Sequence, residues 1–361
     1  MNHSIILRRL GVAAAAALLA ACDGDSTGNE QPFILDGDEP VAIVVNSLGS
    51  SLTLARAGDA AQVRQIPFGA SAAVTPTGLS VQGRRAAVPL GNAASVALVD
   101  LEALRVTRFF LFPKGNATGS AFADDTTLLA ANFIDDYVGR ATLNQASDSI
   151  RQTVNVAPAP TAIVIAAGRA AIISSNLDAN YVPAGNGVVT FLDPRTLQVQ
   201  GVVQMGGTNS TDAALGSDGL LYVLNTGNYV SDASVTIVNP QTMRAEATVS
   251  GFGAGAQSIH IDPAGLAYVS GYGFGTLVWN TRNRTFVRGL NNPVCAKLAS
   301  GACRGAFDAT TDVQGNLYQA FFGSPAENLA PRVFVYRPGD FALADSISSV
   351  NGPSAVEVRS F

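Results

Sequence analysis

Lysine and histidine are almost absent from this chain of 361 residues: Lys114 and Lys297 are the only lysines, and there are two histidines. Charged residues make up 14% and form no basic cluster, which argues against nucleic-acid binding, because phosphate contacts need concentrated positive charge. Tryptophan occurs once, at Trp279, so a row of tryptophans stacking a quinone cofactor is not available. The chain has no Cys-x-x-Cys-His for c-type haem and no phosphate loop, and its Gly-x-Ser-x-Gly match, Gly24-Asp25-Ser26-Thr27-Gly28, lies in an acidic linker rather than between a strand and a helix, where a nucleophile elbow is built. No stretch keeps a 3.6-residue apolar period over three turns, and turn-forming Gly and β-branched Val and Thr recur along residues 40–361, so a helical fold is excluded.

What is present begins with an export signal. Arg8 and Arg9 precede an apolar stretch, Leu10 to Ala21, that is too short to span a bilayer. It ends in Leu19-Ala20-Ala21-Cys22, which resembles a bacterial lipobox. That resemblance implies cleavage of residues 1–21, lipidation of Cys22, attachment to a membrane and a cell-envelope location, periplasmic or cell-surface rather than cytoplasmic. Loss of residues 1–21 removes Arg8 and Arg9 from the 22 basic residues and none of the 27 acidic ones, so the formal charge moves from −5 to −7. Residues 22–39 are acidic and Gly-rich, and read as a flexible tether that cannot bury enough surface to order itself. The remaining cysteines, Cys295 and Cys303, lie eight residues apart and are expected to form a disulfide in an oxidising compartment. A metal site there would need more soft ligands than the segment offers.

Residues 40–361 repeat. Seven strand-like runs recur about 40–50 residues apart, opening at Val41, Arg85, Thr127, Arg169, Leu220, Leu266 and Asn316. Polar turns recur in the same phase, at Asp100, Asn144, Asp193, Asn239 and Asn280, with Arg56–Asp59 and Arg337–Asp340 completing the set. Asp or Asn opens such turns because its side chain bonds the backbone two residues on. Each unit reads as four short strands, which predicts an all-β, seven-bladed β-propeller. The closing segment Pro353–Arg359 matches the innermost-strand pattern of Pro160–Ala166, while the first segment begins with the second strand of a blade. The C-terminal strand is therefore expected to close the ring beside Val41, leaving no exposed sheet edge.

Leu221-Tyr222-Val223-Leu224-Asn225 followed by Asn239-Pro240-Gln241-Thr242-Met243, and Ser175-Asn176 followed by Asp193-Pro194-Arg195-Thr196-Leu197, resemble the YVTN-type propeller repeats of bacterial and archaeal surface proteins. The resemblance covers residues 40–361, loosely in the early blades. It implies an extracytoplasmic seven-bladed propeller and no single activity.

Two functions from different classes fit. The first is a lipid-anchored binding or scaffold module for a protein or glycan partner. Its long second-to-third-strand loops carry Asp178, Tyr181, Asn225, Tyr229 and Asp232, and Tyr offers contact area and a hydroxyl at low entropy cost. The alternative is a propeller enzyme of lyase or lactone-hydrolase type. It would use His260, the only histidine of the exported part, as a lone general base oriented by Asp308, Asp212 or Glu357 on inner strands. One histidine does not build a His-based metal site. No cofactor is expected, although a channel Ca²⁺ or Mg²⁺ ion held by oxygen ligands is conceivable. Asn46, Asn132, Asn176 and Asn225 end second strands and are expected to bond their own loop backbones. Scarcity of catalytic residue types favours the binding module.

Overall fold

The computed structural model describes Phe33, Leu35, Gly37 and residues 39–361, except Ser231, Asp232 and Ser349. The signal segment, Cys22, Asp232 and most of the tether lie outside the described residues. Seven four-stranded antiparallel sheets account for the strands of the described residues. In blade order from the innermost strand outward, blade 5 is Ser210–Leu215, Leu221–Asn225, Ser234–Asn239 and Arg244–Ser250. The inner strands of blades 2, 3, 4, 6 and 7 are Ser80–Gln82, Ala117–Asp124, Pro160–Ala166, Ala256–Ile261 and Asp308–Thr311. Among the described residues the only helical segment is one 3-10 turn, Pro325–Glu327.

Blade 1 is built from both ends of the chain. Pro353–Arg359 pairs with Val41–Asn46, which continues into Ser51–Arg56 and Asp59–Pro67. The closing register sets Val41 against Arg359, Ile43 against Glu357 and Val45 against Ala355. Ring closure by the C-terminal strand is thus as the sequence predicts.

The ring follows from side-chain alternation. Successive residues of a strand point to opposite faces. Val41, Ile43 and Val45 pack with Ala86, Val88, Ala97 and Val99 of blade 2, whereas Ala42 and Val44 pack with Tyr318, Ala320 and Val333 of blade 7. Seven such clusters exist, one for each pair of neighbouring blades. Each sheet is therefore apolar on both faces, which is why its strands read as continuous apolar runs. Phe33 and Leu35, from the segment that composition marks as a tether, are buried in the cluster between blades 1 and 2. The packed body begins at least seven residues before Pro40.

Four of the seven recurring polar turns share one geometry. The Oδ1 atoms of Asp100, Asp193, Asn239 and Asn280 each accept two backbone N–H bonds from residues two and three further on. Leu104, Leu197, Met243 and Arg284 then take left-handed φ values of 53–61° to reverse the chain. A second set joins the first and second strands. There the Tyr222 hydroxyl donates to Asp218 (2.7 Å) and the Tyr268 hydroxyl to Asp262 (3.2 Å).

Cys295 and Cys303 are disulfide-bonded within the long connection between blades 6 and 7. With a separation of eight residues the crosslink stabilises by about 2–3 kcal/mol in the chain-entropy view. Reduction, or the Cys295→Ser/Cys303→Ser pair, is expected to lower the melting temperature by a few degrees and leave one cooperative calorimetric transition. Loss of that transition would show that the loop, rather than the blades, holds the ring.

Candidate functional site: the channel and its rim

The inner strands surround a channel with a cavity of about 1050 Å³. At one mouth, equivalent positions carry Ser354, Thr77, Thr118, Thr161 and Thr211, with Gln257 and Phe307 completing the circle. The threonine hydroxyls stitch blades together. Thr77 donates to the Ala117 carbonyl (3.0 Å), Thr118 to Pro160 (2.8 Å) and Thr161 to Ser210 (3.3 Å), each in the next blade.

Deeper, the wall divides. Blades 2 to 4 present Gly78, Leu79, Gly119, Ala162 and Ile163, whereas blades 5 to 7 and the closing strand present Asp212, Ser258, His260, Asp308 and Glu357. The structure therefore brings the four sequence-predicted channel residues to one sector. Their bonding is that of a scaffold. Asp212 accepts the N–H of Ala213 (2.8 Å) and, across the blade boundary, that of Ile259 (2.9 Å). Asp308 repeats this with Ala309 (2.9 Å) and Val356 (2.9 Å), so it clamps the closing strand.

Burial, with the neighbouring Asp308 and Glu357 charges, pushes the Asp212 carboxyl up to about 7 against the pull of its two N–H bonds. Asp308 is pushed up to about 6, again by burial first and by the Glu357 charge. Burial also raises Glu357, opposed by Arg359, whose guanidinium lies 3.2 Å from its carboxylate.

His260 faces hydroxyls: its Nε2 lies 3.0 Å from Thr311 Oγ1 and its Nδ1 3.5 Å from Thr310 Oγ1. Burial lowers the imidazole to about 4, Asp262 acting against this and Arg359 with it, so the ring is neutral near pH 7. Neither of these bonds is to a carboxylate orienter of the kind a His–Asp general base uses. Asp312, at the foot of the same sector, accepts the N–H groups of Gln314 and Asn316 and shapes a turn. Among the described residues no three His, Cys, Asp or Glu side chains are arranged to hold a metal ion.

The loops between second and third strands, and the connections between blades, gather at the mouth lined by Phe307. Here the candidate binding residues separate. Tyr181 (64% exposed) and Tyr229 (52%) stand on the rim. Asp178 shapes the Tyr181 loop: its Oδ1 accepts the N–H of Asn180 (2.8 Å) and Val182 (3.0 Å), and these bonds, that from Val182 first, hold its carboxyl below the ordinary value. Asn225 is not a surface group. It is buried, accepting from Ser210 (2.7 Å) and donating to Ser234 (3.2 Å) and Thr236 (2.9 Å). Asn46 and Asn132, also fully buried, reach mainly the neighbouring connection between blades: Asn46 accepts the Asn351 N–H (3.0 Å), and Asn132 accepts the Asn116 N–H (3.2 Å) and donates to the Lys114 carbonyl (2.8 Å), with the Asp135 N–H (3.3 Å) as its bond to its own loop.

Further rim aromatics escape a reading of loops alone. Phe133 stacks on Tyr181 at 6.1 Å, Tyr272 meets Phe307 edge-on at 4.7 Å, and Phe307 stacks on Phe322 at 4.8 Å. Phe307 occupies the wall position where blades 2 to 5 have threonine. Comparing the seven inner strands position by position would have found it.

Fold and site together define a seven-bladed β-propeller with a blade-stitching polar channel and an aromatic rim. No protein family matches the sequence, and no curated protein does. Two similar solved structures, of 1418 chains that match, are Kuenenia stuttgartiensis hydrazine synthase and a functionally unknown protein from Desulfotomaculum acetoxidans. The first has a TM-score of 0.63 at 14% identity, covering 80% of this chain and 90% of that one. The second has a TM-score of 0.63 at 12% identity, covering 88% of this chain and 98% of that one. At such identities the likeness concerns the fold.

Proposed function

We propose that this propeller is a lipid-anchored binding module of the bacterial cell envelope, whose aromatic rim receives a protein or glycan partner. The observation that carries the reading is the run of exposed Tyr and apolar side chains on the loops of blades 3 to 6, all at one end of the channel. The enzyme reading draws less support, because both oxygens of Asp212 and of Asp308 serve backbone amides and His260 bonds threonine.

The chain comes in at the other end. Glu39 pairs with Arg56 (2.7 Å), and Gly37 bonds the Phe361 carbonyl, beside the turn that joins the third and fourth strands of blade 1. A membrane tether there leaves the rim free.

Two measurements test this. Cys22→Ala is expected to abolish incorporation of a fatty-acid label and release the protein from membranes. Affinity capture from native membranes is expected to retain a partner at least tenfold better with the natural chain than with Tyr181→Ala/Tyr229→Ala. Val313→Ala, at the opposite end, is expected to capture like the natural chain. Equal capture by all three would overturn the rim as the binding surface.

A further inference from the structure

The two ends of the propeller differ in charge. Among the described residues, the second-to-third-strand loops and blade connections hold seven charged side chains in more than ninety residues. The turns joining first to second and third to fourth strands hold fourteen in fifty-five. Several of the seven are engaged within the molecule. Lys114 pairs with Asp135 (2.9 Å), Asp136 accepts the Ala159 N–H (2.8 Å), and the Arg304 guanidinium lies over the Phe321 and Phe334 rings.

Exposed large apolar side chains follow the opposite distribution. Ile134, Tyr181, Val182, Tyr229, Val230 and Tyr272 stand on the sparsely charged end, Val230 at 84% exposure, and Leu48 adds a seventh. Near the charged end, among the described residues, Leu215, Val313, Val199 and Leu343 stand out, the last two at the first positions of outermost strands. The surface these seven expose is on the order of 800 Å², what one partner of a standard-size interface covers.

We infer that this face docks a partner protein that presents an uncharged, protruding apolar segment seated over the channel mouth, on the side away from the incoming chain. The inference rests on the binding-module reading and narrows it to one partner chemistry. Charge depletion with exposed tyrosine is the composition of an interface core. The aliphatic tips separate a protein from a glycan. Sugars stack on free aromatic faces, whereas here Phe133 stacks on Tyr181, Phe307 stacks on Phe322 and meets Tyr272, Tyr229 offers the remaining rim ring, and Val182, Val230, Ile134 and Leu48 offer none. Such branched aliphatic groups are matched by Leu, Ile, Val or Phe side chains. Beside the stacked Phe307–Phe322 pair the mouth opens into the channel cavity of about 1050 Å³, which has room for one such side chain.

The test uses the full-length chain in its own cells, with a benzophenone-bearing phenylalanine replacing Tyr229 or, as control, Val313. A discrete cross-linked protein is expected from position 229 and not from 313. The cross-linked protein, purified, is then titrated against the unmodified propeller. Its Kd is expected to change less than threefold between 50 and 500 mM NaCl, because no charge pairs form. Val230→Asp is expected to weaken binding at least tenfold without moving the melting temperature. A tenfold loss of affinity with salt, or full binding by Val230→Asp, would overturn the apolar protein partner. Adducts from position 229 that contain only glycan, lipid or a second copy of the chain would replace it with that occupant and leave the rim standing as the binding face. Adducts from position 313 alone would bring down both readings.

Discussion

A chain ending at Asn351 is expected not to fold to the native ring. Removing Gly352–Phe361 deletes the innermost strand of blade 1 and uncovers the whole backbone edge of Val41–Asn46. It takes Ala355 out of the core between blades 1 and 2, and Val356 and Val358 out of the core between blades 7 and 1. It also leaves the Asp308 carboxylate without its partner across the blade boundary. Burying three apolar side chains is worth on the order of 5 kcal/mol. Adding the lost ladder gives a sum comparable with the entire ~5–15 kcal/mol margin of a folded domain. The truncated chain is expected to show no cooperative transition in calorimetry, and to regain one when a peptide of residues 352–361 is supplied in excess. A native-like melting curve without the peptide would disprove closure by this strand.

The second large effect is on pH. Asp212 titrates near 7 and Asp308 near 6 in the folded chain, against about 3.9 for an unfolded aspartate. The folded state therefore binds more protons than the unfolded state between these limits, and stability falls as pH rises through them. The effect is on the order of 2 kcal/mol between pH 8 and pH 5, because both carboxyls keep partial access to the channel. His260 acts with the opposite sign. Its folded value near 4 lies below its unfolded value near 6.5, so stability is lost as pH falls from 6.5 towards 4. The melting temperature is thus expected to rise by several degrees from pH 8 to about pH 6 and then to flatten or decline. Asp212→Asn is expected to level the upper limb, and His260→Gln to relieve the lower one. A wild-type melting temperature constant between pH 6 and 8 would refute the assignment.

Most of the architecture is legible in the sequence, because a propeller blade is specified by short-range chemistry. The Asp193 and Asn239 turns announce themselves through side chains that cap their own backbone. The runs from Val41 and Leu221 are apolar throughout because each strand serves two neighbouring cores. The site was less legible, since its outcome depends on single-residue register and on partners distant in sequence. Asp212 and Asp308 do lie on the channel wall, but only the geometry shows their oxygens committed to Ile259 and Val356, about fifty residues away. Asn225 ends a strand as expected, yet its side chain is buried against Ser210, Ser234 and Thr236 instead of standing on the loop. Phe33 and Leu35 sit among acidic and glycine residues, and two apolar side chains in such company give no sign of a core to receive them.

The seam in blade 1 also has a mechanical meaning. The strand Val41–Asn46 lies between Ser51–Arg56 and Pro353–Arg359, bonded on both sides. A force applied through the residues before it acts along the strand axis, so the rungs of both ladders are loaded together in shear rather than peeled one by one. A molecule held from its leading segment and tugged at its far rim would resist through its strongest geometry, at the one place where its two ends meet.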